Sequence, residues 1–192
     1  MWPWEHLAVG YVLFALLARV FDWTLDDVAV LALAVGTQFP DLVDKPLAWG
    51  FAALPSGTSL AHSVFVAVPV ALAVWLTLAR LSHGVVGVGF AVGYLAHLPA
   101  DILYGPLTRG GPVSVDPLLW PLVEQTVSNG GGLLATVAYY LAAYQAFLTT
   151  PRVVGYLVFE LLLLGVALWL WVADGTPGLG LVRRRPGPER EH

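Results

Sequence analysis

The side chains able to do chemistry in this chain are histidines and carboxylates, because it contains no cysteine. His97-Leu-Pro-Ala-Asp101 sets an imidazole and a carboxylate at i and i+4, on one face of a helix. That spacing lets both reach one metal ion, or lets the carboxylate orient the ring. Phe39-Pro-Asp41-Leu-Val-Asp44 offers two carboxylates just after an apolar stretch. His62, beside Ser63, opens another such stretch, and His6 precedes the first. Imidazole and carboxylate without thiolate suit zinc, with manganese or iron as substitutes. An ion with an open coordination position lowers the pKa of water to about 7 and makes it a nucleophile at neutral pH. Asp44 is the best general-base candidate in the sequence. Taken singly these residues have plainer readings. A lone histidine at a membrane interface is more often a hydrogen-bonded residue than a ligand, and Asp44-Lys45 alone reads as a solvated loop pair.

These residues need elements to bring them together, and hydropathy supplies six. A membrane-spanning helix takes about 20 mostly apolar residues. Leu60–Leu81, Val85–Tyr104, Leu133–Thr149 and Val153–Ala173 approach or reach that length. Leu7–Phe21 and Thr24–Phe39 are shorter and read as a tilted hairpin, with Thr24 or Asp26 as N-cap of the second. Ser59 is the N-cap expected for the third. Pro99 should kink the fourth or end its regular hydrogen bonding. Glycine and proline break the connections 40–59 and 105–132. The expected fold is thus all-α, a polytopic bundle of six hydrophobic helices over residues 1–174. An Arg- and Pro-rich tail, 175–192, is expected to be disordered.

Composition agrees. The 192 residues are 58% hydrophobic and only 11% charged, against about 25% charged in soluble domains. The bilayer is therefore the expected surrounding. A net charge of −4, scattered along the chain, argues against nucleic acid as a partner. The N-terminus lacks the basic start of a signal peptide, so the first apolar stretch is expected to remain. Arg183, Arg184, Arg185 and Arg190 place the tail in the cytoplasm by the positive-inside rule. Counting back through six crossings puts the N-terminus, both long connections and His6, Asp41, Asp44, His62, His97 and Asp101 on that same side. Arg19, Arg80 and Arg152 run against this count. Glu160 lies within a span, where an acid is costly and marks function by default, and it is expected either to pair with Arg152 or to stay protonated.

Several of these motifs together resemble the YdjM-like membrane-bound metal-dependent hydrolases, a family similar at a distance to zinc-dependent phospholipase C. The resemblance covers roughly residues 5 to 122. It rests on His6-Leu, Pro40-Asp41, Ala61-His62-Ser63 and above all Gly93-Tyr-Leu-Ala-His97-Leu-Pro-Ala-Asp101-Ile-Leu, followed by Gly110-Gly111 and Leu118-Leu-Trp120-Pro121. It implies His6, Asp41, His62, His97 and Asp101 as metal ligands, with Ser63 a neighbour of the site. It implies hydrolysis of an ester or phosphoester, of a lipid if the site lies at headgroup level. The chain departs from the family at Gly57 and Lys45, where histidines are frequent. An ion-binding transporter and a protein with a purely structural metal are the competing readings.

Overall fold

The first helix starts at Pro3, ahead of the apolar run. Proline suits the first turn, where its missing N–H has no helical partner to lose. Glu5 reaches back to accept the Trp2 N–H at 2.6 Å. α1 therefore spans Pro3–Val20 and carries His6 within it. α2 spans Asp27–Lys45, capped by Asp26, whose Oδ1 accepts from the Ala29 N–H at 2.7 Å. It does not stop at Phe39 but continues through Pro40, so Asp41 and Asp44 sit on a helix and not in the loop expected there. A π-helical turn, Pro46–Gly50, follows. α3 spans Val64–Arg80 and is capped by Ser63, whose Oγ accepts from the Phe65 N–H at 3.2 Å. Ser59, the expected cap, instead donates to the Ser56 carbonyl, which leaves His62 in the turn before α3. α4 spans Gly84–Arg109 and runs through Pro99 and Pro106, so Pro99 does not end it. A 3₁₀ turn at Asp116–Leu119 precedes α5, Leu133–Phe147, and α6, Arg152–Ala173.

This computed structural model describes residues 1–127 and 131–180. Among them there are six α-helices and no strand. Two, α4 over Gly84–Thr108 and α6, are long and apolar enough to cross a membrane, while α3 and α5 are apolar but shorter. The outer faces carry Leu13, Leu16, Leu31, Leu72, Leu162 and Trp169, all exposed. Such a surface is a liability in water and ordinary in lipid.

Glycine sets the spacing of the inner helices. A Cβ at Gly36 would stand 2.3 Å from the Phe90 carbonyl oxygen, and one at Gly93 only 2.4 Å from that of Leu33. The backbones of α2 and α4 therefore touch, the close approach that small residues allow between membrane helices. Tyr11, Phe14, Leu33 and Leu170 fill one part of the core, and Ala67, Ala71, Phe90 and Tyr94 join α3 to α4 in another.

α6 does not continue the alternation of direction that six crossings require. Near the starts of both helices, Trp4 Nε1 donates to Glu160 at 2.8 Å and Tyr156 Oη to Glu5 at 2.7 Å. Near their ends, Arg19 reaches Asp174 at 2.7 Å and Tyr11 Oη reaches it at 2.8 Å. So α6 lies beside α1 and points the same way. α5 makes this possible by staying at one end of the bundle, its Tyr140 against Trp49, Tyr144 against Trp2 and Phe147 against Tyr156. The chain traverses the bundle five times, and the end of α6 lies opposite the start of α1. The start of α1 and the end of α6, expected on one side, are at opposite ends of the bundle. Beyond α6 the chain folds back, with Trp171 Nε1 donating to the Pro177 carbonyl at 2.9 Å and the Gly178 N–H to Asp27 at 2.5 Å. Residues 181–192 of the tail expected to be disordered lie outside the described residues.

Candidate metal centre

Because the successive helices α1 to α4 alternate in direction, His6, Asp41, Asp44, His62, His97 and Asp101 all come to one end of the bundle, as parity requires. Backbone and carboxylate partners then aim the imidazoles. His97 Nδ1 donates to the Thr37 carbonyl at 2.7 Å, which turns Nε2 inward. His62 Nδ1 lies 2.8 Å from Asp44 Oδ2 and is held the same way. Asp44 also accepts the N–H groups of Ser59 and Ala61, each at 2.8 Å, and of His62 at 3.2 Å. It is fully buried. One carboxylate thus organises the turn before α3 and orients its histidine.

Four donor atoms converge beyond these partners: Asp41 Oδ1, His62 Nε2, His97 Nε2 and Asp101 Oδ2. The two Nε2 atoms are 3.2 Å apart, and each is 3.4 Å from Asp101 Oδ2 and 3.7 Å from Asp41 Oδ1. Donors at zinc bond lengths of about 2.0–2.1 Å in a tetrahedron stand about 3.3–3.4 Å from one another. Five of the six separations lie near that figure and the four donors all fall within 4.8 Å of one another, so the group could hold one small divalent ion. Asp41 Oδ1 supports this independently, since it is buried with no hydrogen-bond partner. A charged oxygen left so is costly unless a cation meets it. The other Asp41 oxygen takes the Lys45 ammonium.

His6 is not part of the quartet. Its ring stacks on that of His97, with centroids 3.7 Å apart and planes at 10°. Its Nε2 is 3.0 Å from the outer oxygen of Asp101, Oδ1, yet neither ring nitrogen is aligned for a hydrogen bond. The Met1 amine lies 2.5 Å from the same oxygen. So four of the five residues implied as ligands come together and the fifth stands behind them. Ser63 caps α3 and donates to the Trp120 carbonyl at 2.5 Å, a neighbour as expected.

Sequence reasoning overlooked Glu5, fully buried and held by Tyr156, although an acid beside His6 at the head of an apolar helix was a visible signal. It also treated Lys45 as a loop residue. Lys45 stands over the Trp49 ring at 5.7 Å. The Thr37 carbonyl had no signal, because a backbone acceptor can belong to any residue.

Electrostatics at His62 follow from the crowd of carboxylates. Burial alone would lower its pKa, but hydrogen bonds to Asp101 and Asp44 outweigh that and push it up to about 9. The site also opens outward. His62 and Asp101 form part of the wall of a cavity of about 670 Å³, with Lys45, Thr58, Trp49 and Tyr104 among its other walls.

Comparison with known proteins gave no match among curated proteins and none among solved structures. The distant similarity to zinc-dependent phospholipase C has no counterpart there. One family description, the YdjM inner membrane protein, matches residues 1–176. A helical chain with lipid-compatible faces, a His/Asp quartet at one end and a match of that extent belongs to the YdjM inner membrane protein family.

Proposed function

We propose that this protein is a multi-pass membrane hydrolase that cleaves an ester or phosphoester at a single zinc-type centre. The observation that carries this reading is the quartet of donors at tetrahedral spacing on the wall of a ligand-sized cavity. Cavities of roughly 300–1,000 Å³ suit small-molecule ligands. Asp41, His62, His97 and Asp101 would hold the ion. When bound, such an ion supplies Lewis acidity and lowers the pKa of water. Asp44 is reassigned from general base to positioning residue, since four donors occupy its two oxygens and leave none facing the reaction. Thr37 plays the same part for His97 through its carbonyl. His6 supports Asp101 from behind. Lys45 neutralises the outer oxygen of Asp41 and faces the cavity.

The same reading revises the side on which the centre works. With five crossings, Arg19 and Arg80 fall at the far end and the tail arginines Arg183, Arg184, Arg185 and Arg190 follow α6 in sequence, while Lys45, Arg109 and Arg152 fall at the site end. The positive-inside rule then favours a cytoplasmic far end and a centre on the opposite face of the membrane. Arg19 and Arg80, which opposed the six-crossing count, support this one.

The test is metal analysis of the purified chain with assays on soluble phosphodiesters and on lipid esters. About one zinc per chain and hydrolysis that a chelator stops and zinc restores are expected. A structural metal is the second reading, favoured because four protein donors fill a tetrahedron as in closed structural sites. It prevails if removing the metal lowers the melting temperature while the metal-loaded chain cleaves none of these substrates.

A further inference from the structure

The cavity wall combines polar and apolar side chains. It holds Lys45, Ser56 and Thr58, with Ser56 Oγ and Thr58 Oγ1 3.3 Å apart. It also holds Tyr104 of α4 and Tyr140, Leu141, Tyr144 and Phe147 of α5. α5 rests on the bundle through ring contacts to Trp49 of the π-helical turn, Trp2 and Tyr156, and its inner side closes the cavity. A lysine ammonium has three donors. In Lys45 one is taken by Asp41, and the group stays partly exposed toward the cavity with side-chain exposure of 31%. Among the described residues lining the cavity, Lys45 is the cationic side chain; the Met1 ammonium in the same wall is held by Asp101, and Asp116 is the other carboxylate there. With a divalent ion balanced by Asp41 and Asp101, the part of the cavity beside Lys45 favours an anion.

We propose that this cavity binds a single-chain amphiphile with a phosphate-ester head, the head at Lys45, Ser56 and Thr58 and the hydrocarbon chain beneath α5. The proposal deepens the hydrolase reading by naming its substrate class, and it concerns binding, so it can succeed where hydrolysis fails. Lys45 is here a specificity residue. Tyr140 and Tyr144 give a rigid aromatic wall, which suits a flexible chain that gains contact area at each methylene.

The experiment is native mass spectrometry of the metal-loaded full chain with butyl, octyl and dodecyl phosphate, inorganic phosphate and dodecyltrimethylammonium as probes. One dodecyl phosphate per chain is expected, bound at least tenfold more tightly than butyl phosphate and than dodecyltrimethylammonium. Lys45→Met should weaken dodecyl phosphate tenfold or more and Lys45→Arg should restore most of it. Ala143→Trp, which fills the cavity from α5, should abolish the advantage of the long chain while metal content and melting temperature stay as in the parent protein. Equal affinity for inorganic and dodecyl phosphate overturns the chain site in favour of a soluble phosphate ligand. Equal affinity for the cationic probe overturns the anionic head. The chain-length series needs no variant, so a misfolded substitution leaves that comparison intact. Binding without cleavage of any ester would sink the hydrolase reading and leave this one standing.

Discussion

Asp44 spends its charge on four donors, all within one turn of chain and one imidazole. Carboxylates that orient a metal-binding histidine typically contribute 10- to 100-fold in metal affinity. Asp44→Asn is therefore expected to weaken zinc binding by about that factor, measured by chelator competition, whereas His97→Ala or Asp101→Ala should leave the chain without stoichiometric metal. Retention of full zinc by either alanine variant would remove the proposed centre. His62 gives the pH dependence. Metal needs the neutral imidazole, and the carboxylates hold its pKa up to about 9. Affinity should rise about tenfold per pH unit between pH 6 and 8 as one proton is displaced, and flatten above 9. In the metal-free protein the sign is reversed. A raised pKa stabilises the fold below the unfolded value of about 6.5, and that contribution is lost as pH rises through about 9. The four residues that converge were legible as candidates in the sequence, because His and Asp are conspicuous in so apolar a chain. The role of Asp44 was not, since it depends on backbone N–H groups of a turn whose shape the residue types do not announce. The separation of His6 from the quartet was hidden for a similar reason, being a matter of a few ångströms within a stacked pair of rings.

At the scale of elements, the contact between α2 and α4 is set by backbone atoms, and it fixes the distance between Asp41 on one helix and His97 and Asp101 on the other. Gly93→Ala would place a methyl 2.4 Å from the Leu33 carbonyl. Helix separation is the only relief, and overpacking of that kind costs about 1–3 kcal/mol. Gly165 supplies the control, since a Cβ there meets nothing within 4 Å. Gly165→Ala should be neutral or stabilise by up to about 1 kcal/mol. Thermal unfolding in detergent should separate the two, and a loss of zinc affinity should accompany Gly93→Ala alone. Hydropathy located all six helices, but it misjudged ends where polar residues continue a helix. α2 passes Pro40 because a proline late in a helix between packed neighbours is tolerated, and α1 begins at Pro3 because Glu5 secures the first turn. Direction was the larger gap. α5 is as apolar as a spanning helix, and nothing in its composition says that it lies across one end.

For the whole molecule, an odd number of crossings is checkable with unusual economy, because the chain has no cysteine to remove. Single cysteines at Ser82, Ser114 and Thr149 lie at exposed positions between helices. In intact cells an impermeant maleimide is expected to label Ser114→Cys and Thr149→Cys and to spare Ser82→Cys until the membrane is opened. The six-crossing topology requires Thr149→Cys to behave like Ser82→Cys, so that single residue decides between the two. Labelling of Ser82→Cys alone would keep the five crossings and place the metal centre on the cytoplasmic face after all.

The four converging donors occupy a narrow stretch of chain, from Asp41 to Asp101. During synthesis the centre becomes complete as soon as α4 has left the ribosome and entered the bilayer, before α5 and α6 exist. Metal capture can therefore precede the last third of translation and lock the first four helices into register. The wall that α5 adds to the cavity would then be built onto a centre already charged, and a chain that failed to load metal would meet its final helices with Asp41 Oδ1 still without a partner.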